Sequence, residues 1–360
     1  MQELIVAEKK KRTRKVVWFI GIDVSKHTLD YAVIYQGELL FHDKRENSKE
    51  AIGEFIKELK AQPKFSMAAA IFCMEAMGMY GNHLYSTVNK LKGKITAVNP
   101  LIIKNFIGLA RGKDDKTDAI RIAFYAQKNT GDLIFRVNER PVLTELRLMF
   151  TLRERLLTTA VALRNPLKEL EGYAEPKLQK QTLVYTGKSI NAIEQSLEEI
   201  NLVIDRILNN DEELSRLFAI MCSVTGVGRV TALLILITTN EFRDIQCPKK
   251  FACYAGVAPF RNESGLMTRR RRVSHLANKK MKSLLHMCAL NAIRVDNEIT
   301  RYFNRKLMEG KPKLLVINAI RYKLICRIFT CIRQNRLFVK HSAGTDITTA
   351  ASDFMQSNKA

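Results

Sequence analysis

The first part of the chain alternates short apolar runs with amphipathic segments. Val16–Val24 and Thr28–Tyr35 are largely apolar and rich in β-branched residues, and Leu39–Asp43 resumes the pattern after a turn. Runs of this length and composition predict strands, here an antiparallel meander of three. Over Ser48–Leu59 the apolar residues recur at helical spacing behind a serine that suits a helix N-cap,. A helix is therefore predicted to follow the sheet.

Alternating strands and helices continue to residue 126. Strands are predicted over Phe65–Met74 and Ile95–Val98, and helices over Gly81–Leu91, Leu101–Ala110 and Ala119–Ala126,. Three antiparallel strands followed by alternating β and α elements predict an α/β domain, with a mixed sheet that carries helices on its faces.

The pattern changes to long, charged, amphipathic helices over Pro141–Ser215. Six apolar residues there step by 3, 4, 3, 4 and 3 and form a heptad seam: Ile190, Ile193, Leu197, Ile200, Ile204 and Ile207,. Two or three heptads fit packing within one chain and a coiled-coil contact between chains equally well. Residues 218–337 are predicted to be helical at both ends, with an irregular, very basic middle over 259–282.

Composition adds the first functional information. The 360 residues include 59 Lys or Arg against 36 Asp or Glu, a formal net charge of +23. Because Lys and Arg release condensed counterions when they neutralise phosphates, this excess predicts a polyanionic partner, with nucleic acid ahead of an anionic membrane surface. The 46% apolar and 26% charged content is that of a folded globular protein and excludes a mostly disordered chain,.

Membrane insertion and secretion are not predicted. The longest apolar stretches, Val16–Ile22 and Ala232–Ile237, are far shorter than the about 20 residues of a spanning helix,. The N-terminal charges follow a short apolar patch, the reverse of a signal peptide,. Seven cysteines without a C-x-x-C pair argue against a disulfide framework,. We therefore expect a reducing cytoplasm and no membrane partner.

Carboxylates end two predicted strands and precede a predicted helix. Asp23 and Glu75 each end a buried run, and the three-residue spacing of Asp115 and Asp118 puts both on one helix face,. Singly, such acids belong to turns or helix N-termini more often than to catalytic sites. Together they would supply about four negative charges, enough to hold two Mg²⁺ ions, or Mn²⁺, for in-line attack on a phosphodiester.

Glycines and arginines mark the third region. Gly226 and Gly228 lie in a turn between helical segments, which fits a phosphate-holding helix-hairpin-helix and an ordinary tight turn about equally,. Between Arg261 and Lys282 there are eight Lys or Arg residues and one acid, a density that predicts phosphate contacts,. By itself, Ser264 is typical of a turn. Among guanidinium groups, however, its hydroxyl can attack a phosphodiester.

In their order and spacing these blocks resemble the transposases of the insertion-sequence one-ten family, a group related to Piv-type DNA invertases. The resemblance spans nearly the whole chain. Its N-terminal blocks are G-I-D-V-S-K at 21–26, E-A-x-G at 75–78 and K-x-D-x-x-D-A at 113–119. Its C-terminal blocks are G-V-G-x-x-T-A at 226–232, Y-A-G-x-x-P at 254–259, S-G at 264–265 and a basic stretch that ends in N-K-K-M.

The resemblance implies a fold and a set of roles. The N-terminal domain would have a RuvC-like, ribonuclease-H-type fold, followed by a long helical coiled-coil connector and a helical transposase domain. The family's D-E-D-D metal site would fall on Asp23, Glu75, Asp115 and Asp118. Its serine would fall on Ser264 and attack a DNA phosphate, assisted by Mg²⁺, to form a covalent phosphoserine linkage. A structured non-coding guide RNA encoded beside the gene would pair with donor and target DNA.

Contacts with nucleic acid are expected from basic and glycine residues of both domains: Lys26, Lys113, Gly226, Gly228, Arg229, Arg261, Arg269, Arg270, Arg271, Arg272, His275, Lys279 and Lys280. The sequence departs from the family pattern at two positions after the basic run, where His275 replaces a lysine and Ala277 a glycine. The resemblance also suggests a homodimer or homotetramer in which a partner chain completes the site.

The expected division of the chain has five parts: a basic tail (1–15), the RuvC-like catalytic domain (16–135), the helical coiled-coil region (136–215), the transposase domain with the helix-hairpin-helix-like segment and Ser264 (216–340), and a flexible tail (341–360). The expected setting is the cytoplasm of a bacterial or archaeal cell, at the nucleoid.

Three other functions stay open at this point. A RuvC-like, metal-dependent Holliday-junction nuclease that cuts with water would need the carboxylates and not Ser264. A non-catalytic nucleic-acid-binding scaffold would need neither. An actin-like sugar kinase also opens with an apolar strand and G-I-D, but it needs later glycine-rich phosphate loops, which the sequence lacks,.

Overall fold

The computed structural model describes residues 16–76, 78–107, 114–135, 139–264, 267–274 and 276–339, and the side chains of these residues outside 261–272. The chain divides into two compact units, with the boundary after residue 138. Each unit has its own hydrophobic core.

A five-stranded mixed sheet forms the centre of the first unit. Its strands are β1 (Trp18–Val24), β2 (Thr28–Tyr35), β3 (Glu38–Glu46), β4 (Ala70–Glu75) and β5 (Lys94–Val98). In space they follow the order β3-β2-β1-β4-β5, with the first three antiparallel and β1, β4 and β5 parallel. The predicted α/β class and mixed sheet are therefore confirmed, as expected for a RuvC-like, ribonuclease-H-type domain.

Within the described residues, the sheet is accompanied by the helices α1 (Lys49–Ala61), α2 (Asn82–Lys90), α3 (Pro100–Ile107) and α4 (Asp115–Lys128). Short 3₁₀ turns lie at Met67–Ala69 and Thr130–Asp132. Ser48 caps α1 as predicted, because its side chain accepts a hydrogen bond from the Ala51 amide at 3.2 Å,. Helix α4 begins at Asp115, one turn before the predicted start at Ala119.

Strand alternation divides the residues of the sheet between two cores. One face, which includes Ile20 and Ile22, packs against α1 and α2,. The opposite face includes Phe19 and Ala32 and packs against α3 and α4. Asp23 and Gly21 share the parity of Phe19, so the α4 side of the sheet is also the side of the predicted acids,.

Gly21 lets α4 lie directly on β1. A Cβ atom at this position would overlap the carbonyl oxygen of Ala119 and the amide nitrogen of Ala123. The helix backbone therefore occupies the space that any other residue would fill with its side chain. This contact fixes the first turn of α4 above the end of β1.

The second unit is mainly helical. Its elements are α5 (Pro141–Leu170), α6 (Pro176–Asn209), α7 (Glu212–Ser223), α8 (Arg229–Thr239), α9 (Pro248–Tyr254), β6 (Pro259–Ser264), β7 (Met267–Val273), α10 (Lys279–Val295), α11 (Asn297–Met308) and α12 (Lys313–Arg333). Helices α5 and α6 pack against each other within the chain. Seam residues Ile190, Ile200, Ile204 and Ile207 are buried there. Packing within one chain therefore accounts for these seam positions.

The basic middle of the third region is a β-hairpin and not the irregular segment that the sequence predicts. Strands β6 and β7 pair antiparallel, and Ser264 pairs with Met267. A run of four arginines hides the alternation by which an exposed strand is recognised, because both faces carry the same residue type,.

Among the helices of the described residues, none combines the length and the apolar character that a membrane-spanning helix needs.

Replacing Gly21 by alanine should destabilise the first unit. The new methyl group meets helix backbone rather than a flexible side chain, so we expect the free energy of unfolding to fall by about 3 kcal/mol. Urea denaturation of the purified chain would measure it.

Gly53→Ala on α1 is the matched control. Nothing lies within 4 Å of a Cβ atom there, so the same substitution should stabilise the helix by about 0.5–1 kcal/mol. Equal denaturation midpoints for Gly21→Ala and the unaltered chain would contradict the close packing of α4.

Candidate functional site

Asp23 and Glu75 lie at the same end of neighbouring parallel strands. Ile22 on β1 pairs with Met74 on β4, and each acid is the next residue along its strand. Because Ile22 and Met74 face the core with α1 and α2, the acids face the other side, toward α4,. Both acids are partly exposed. The sheet thus presents two adjacent carboxylates at its edge.

The first turn of α4 brings two more acids to this edge. Asp115 is the first residue of the helix and Asp118 lies one turn later, directly before the alanine that contacts Gly21. Asp114 is the N-cap residue, and its carbonyl oxygen accepts the Asp118 amide at 3.0 Å. Asp115 and Asp118 therefore lie near Asp23, on the one helix face that their three-residue spacing predicts,.

The pKa of Asp23 records this crowding. Burial is the largest cause that raises the pKa of Asp23. Three neighbouring carboxylates raise this pKa further, those of Asp115, Asp118 and Asp30,. One backbone hydrogen bond, from the Val24 amide, acts in the opposite direction. A carboxylate whose ionised form is disfavoured by its own neighbours is a mark of functional sites more than of structural ones.

Asp30 also lies in this acidic cluster, although the sequence alone does not point to it. It lies opposite Asp23 across the β1–β2 pair and is only 4% exposed. Its Oδ1 lies 3.1 Å from His42 Nε2, and its Oδ2 lies 3.1 Å from Lys44 Nζ. The available signal was a single acid in an otherwise apolar strand, T-L-D-Y-A-V-I-Y.

Two basic side chains hold the acids of α4. Lys44 Nζ also lies 3.3 Å from Asp115 Oδ2, so this lysine on β3 bridges the sheet and the helix. Arg121 lies on the next turn of α4, and its Nη1 donates a hydrogen bond to Asp118 Oδ1 over 2.9 Å. Part of the negative charge of the site is therefore neutralised by the chain itself.

The predicted phosphate-binding turn of the second unit is partly structural. Gly226 has a φ of +95°, and a Cβ atom there would lie 2.7 Å from Cys288 O of α10, so glycine is required for packing. Gly228 is exposed and is the N-cap of α8. Arg229 forms an ion pair with Asp205 and lies 5.9 Å from the centre of the Phe218 ring.

Three predicted lysine contacts differ in their surroundings. Lys26 is exposed in the turn between β1 and β2, next to the acidic edge, and Lys279 is exposed at the start of α10. Lys280 forms an ion pair with Glu154. Burial is the larger cause that lowers the pKa of Lys280, and the positive charge of the nearby Arg153 lowers it further.

The strand that ends at Ser264 is fixed to helices before and after the hairpin. Asn318 on α12 donates to the carbonyl oxygen of Val257 at 2.8 Å, just before β6. After β7, the Asn278 amide donates to the carbonyl oxygen of Tyr254, also at 2.8 Å. The Y-A-G block thus has a structural role, since Gly256 has a φ of +64°,.

Several predicted site residues lie outside the described part of the chain. For the serine and the arginines of the hairpin, the structure describes the backbone and not the side chains. These residues are Ser264, Arg261, Arg269, Arg270, Arg271 and Arg272. Lys113 and His275 lie outside the described residues altogether.

Known families match both units. A transposase model of the DEDD IS110 type matches residues 20–170, and the model of the transposase IS116/IS110/IS902 family matches residues 219–304. The pilin gene-inverting proteins of Moraxella bovis and Moraxella lacunata are each 25% identical over 327 residues, 89% of this chain and 98% of the relative. A 43.6 kDa insertion element IS110 protein of Streptomyces coelicolor is 22% identical over 173 residues, 45% of this chain and 42% of that protein.

The DEDD match indicates the use of a divalent metal, and the charge and oxygen donors of the side chains suit a hard cation. Asp23, Asp30, Asp115 and Asp118 contribute up to four negative charges, against one each from Lys44 and Arg121. The remaining charge and the oxygen donors suit a divalent ion of the Mg²⁺ class. As they stand, no three His, Cys, Asp or Glu side chains of the described ranges converge closely enough to hold one. Metal binding would therefore draw the acids away from their basic partners.

Asp23→Asn should raise the melting temperature in EDTA at pH 7 by a few degrees, since the amide removes a carboxylate that burial and three acids disfavour when ionised. A group with a raised pKa favours folding while protonated and loses that contribution as the pH rises through the raised value. The gain should therefore be small near pH 4 and complete at pH 7.

Thermal unfolding across this pH range would measure the difference. Asp132→Asn is the control, because Asp132 is exposed in the 3₁₀ turn after α4, and it should change little. An unchanged or lower melting temperature for Asp23→Asn at pH 7 would contradict the crowding of the acids.

Proposed function

Because this chain carries both domains of the IS110-family transposases, we propose that it is the transposase of an insertion sequence and recombines DNA through a covalent phosphoserine intermediate. Membership of this family makes it a DNA recombination enzyme. The serine step, the guide RNA and the assembly go beyond family membership and are proposals. The observation that carries the proposal is the acidic cluster around Asp23, built on the RuvC-like sheet.

We propose that Asp23, Glu75, Asp115 and Asp118 hold Mg²⁺, as two ions, with Mn²⁺ as a substitute. When bound, such ions orient the scissile phosphate and neutralise the charge that develops on its oxygens. Burial and then the neighbouring acids raise the pKa of Asp23, and this supports the assignment because a bound cation would offset the repulsion among the acids,. We propose Lys26, exposed beside this edge, as a contact for the DNA backbone,.

The proposed chemical step uses Ser264 as the nucleophile. Its hydroxyl loses a proton to a base while Oγ bonds to phosphorus, and the bond from phosphorus to the leaving sugar oxygen breaks. The leaving oxygen takes up a proton and becomes a free hydroxyl end. Attack by the hydroxyl of a second strand then reverses the step, releases the serine and joins the new strand.

Support for the step at Ser264 comes from the sequence around it. Ser264 ends β6 beside the connection of the hairpin, and β7 contains four consecutive arginines. Cationic groups near a reacting phosphate stabilise the charge of its transition state. We propose that Arg261, the arginines of β7, His275 and Lys279 contact nucleic acid, together with Lys113, Gly226, Gly228, Arg229 and Lys280.

The sequence also predicts the domain boundaries, a guide RNA and the place of action, and we keep all three as proposals. We propose that the segments 16–135, 136–215 and 216–340 are the catalytic, connecting and transposase domains, between a basic tail and a flexible tail. A structured RNA encoded beside the gene is proposed as the guide, and the net charge of +23 supports a second polyanion beside DNA,. The proposed place of action is the nucleoid in the cytoplasm of a bacterial or archaeal cell.

Ser264→Ala should abolish the covalent protein–DNA adduct, lowering its yield about a thousandfold or more, because no other group replaces the lost nucleophile. The assay incubates the chain with element ends, target DNA, Mg²⁺ and transcribed flanking RNA, and resolves adducts on a denaturing gel. Omission of the RNA should also reduce the yield.

Ser274→Ala is the control for the serine assay. The Ser274 hydroxyl accepts a hydrogen bond from the Leu276 amide at 3.2 Å, a local structural contact, so this variant should keep the adduct. Unimpaired cutting by Ser264→Ala would instead indicate a nuclease that uses water, the strongest alternative function. Unimpaired adduct formation by Asp23→Ala would contradict a catalytic role of the carboxylates, and the absence of any adduct with the unaltered chain would favour the nucleic-acid scaffold.

We further propose a homodimer or homotetramer in which the serine of one chain acts with the carboxylates of another. The helical hairpin of α5 and α6 supports association because it exposes large apolar side chains along both helices: Leu148, Leu152, Val161, Leu178, Leu183 and Val184,.

Mixing Asp23→Ala and Ser264→Ala chains should restore part of the adduct formation that each lacks alone, since a mixed oligomer contains one complete pair of groups. Native mass spectrometry would verify that mixed oligomers form. If mixed oligomers form and stay inactive, each active site is built from a single chain.

A further inference from the structure

Lys44 is shared between the sheet and the helix of the acidic site. Its Nζ lies 3.1 Å from Asp30 Oδ2 and 3.3 Å from Asp115 Oδ2. A lysine ammonium is charged at neutral pH, and both of its partners here are acids. A positive charge thus lies at the edge where family membership implies a metal ion.

The two contacts of Lys44 differ greatly in burial. The Asp30 side chain is 6% exposed and its other oxygen is held by His42, whereas the Asp115 side chain is 60% exposed. Removing the partner of a buried charge is strongly unfavourable, while an exposed ion pair contributes little. Lys44 can therefore leave Asp115 easily but stays with Asp30.

The sheet register explains why this arrangement is fixed. Asp23, Asp30 and Lys44 are directly opposite one another on β1, β2 and β3. They form a row across the sheet that ends in the lysine, with Asp115 reached from α4. Since opposite residues of adjacent strands are close neighbours, the row keeps the ammonium within reach of Asp115.

We propose that Lys44, anchored by Asp30, is a resident counter-ion of the acidic site that competes with the divalent metal for Asp115 and so weakens metal affinity. This inference rests on the proposed function, because it concerns the same site. Lys44 and Asp30 are positioning residues in this account, and neither is a metal ligand. In the metal-free chain the lysine limits the repulsion among the acids, and on metal binding it withdraws to Asp30 alone.

Mn²⁺ binding to the full-length chain without DNA tests the proposal independently of activity. Free Mn²⁺ is measured by electron paramagnetic resonance at low ionic strength, where charge effects are least screened. Lys44→Met should bind Mn²⁺ about tenfold more tightly, because removal of a unit charge near a divalent ion changes binding by this order. Lys44→Gln keeps a hydrogen-bond donor for Asp30 and should also bind more tightly, which covers the case in which Lys44→Met does not fold.

Three further variants separate charge from structure. Lys44→Arg keeps the charge and should bind like the unaltered chain. Lys57→Met is the matched control, since Lys57 is exposed on α1, on the other side of the sheet. The double variant Lys44→Met with Asp30→Asn removes one charge of each sign, so its affinity should return close to that of the unaltered chain.

Unchanged or weaker Mn²⁺ binding by both Lys44→Met and Lys44→Gln would overturn the proposal, since the lysine would then be neutral toward the metal or would organise its ligands. Failure of the proposed function gives a different result. In that case the unaltered chain would bind no more Mn²⁺ than Asp23→Asn, whatever residue stands at position 44.

Discussion

The absence of a side chain at Gly21 determines where α4 lies, and the acidic site depends on that position. The helix backbone at Ala119 and Ala123 fills the space where a Cβ atom would be. Because Asp115 and Asp118 lie within the turn before Ala119, this contact carries them to the end of β1. A shift of one helical turn would move them by about 5.4 Å and separate them from Asp23. One backbone contact thus positions half of the predicted carboxylates.

Such a site is unfavourable for the folded chain when it holds no metal, and the structure shows how the cost is limited. Asp118 has Arg121 from its own helix, and Asp115 has Lys44 from β3. Asp30 is nearly buried but has two partners. Burial and the neighbouring carboxylates still raise the pKa of Asp23. Residues selected for stability alone would not be crowded in this way, which is why the cluster points to function.

Local patterns predicted most of the elements, whereas the residues of the site that were missed depend on contacts between strands. The β1–β2 pair, the mixed sheet and the Ser48 cap follow from alternation and capping, which depend on neighbours along the chain. Asp30 and Lys44 join the site through cross-strand register, which a single strand does not contain.

Two boundaries were misjudged because charge replaced the expected apolar signal. Helix α4 was predicted from its apolar residues, although the acids before them already form its first turn. The β6–β7 hairpin was interpreted as irregular because arginine occupies both faces of β7. In both cases the missed backbone carries predicted site residues, so function itself weakens the structural signal at these positions.

Ion pairs within the fold neutralise part of the chain's positive charge. Arg229 and Lys280 are paired with Asp205 and Glu154 in the folded chain, so contact with a phosphate would require these ion pairs to be exchanged. Exchange of one salt bridge for another adds little to binding compared with release of condensed counterions by an exposed lysine. Exposed Lys26 and Lys279 can therefore contribute more per residue. It follows that affinity for nucleic acid depends on how the charge is paired within the fold, and only loosely on the net value of +23.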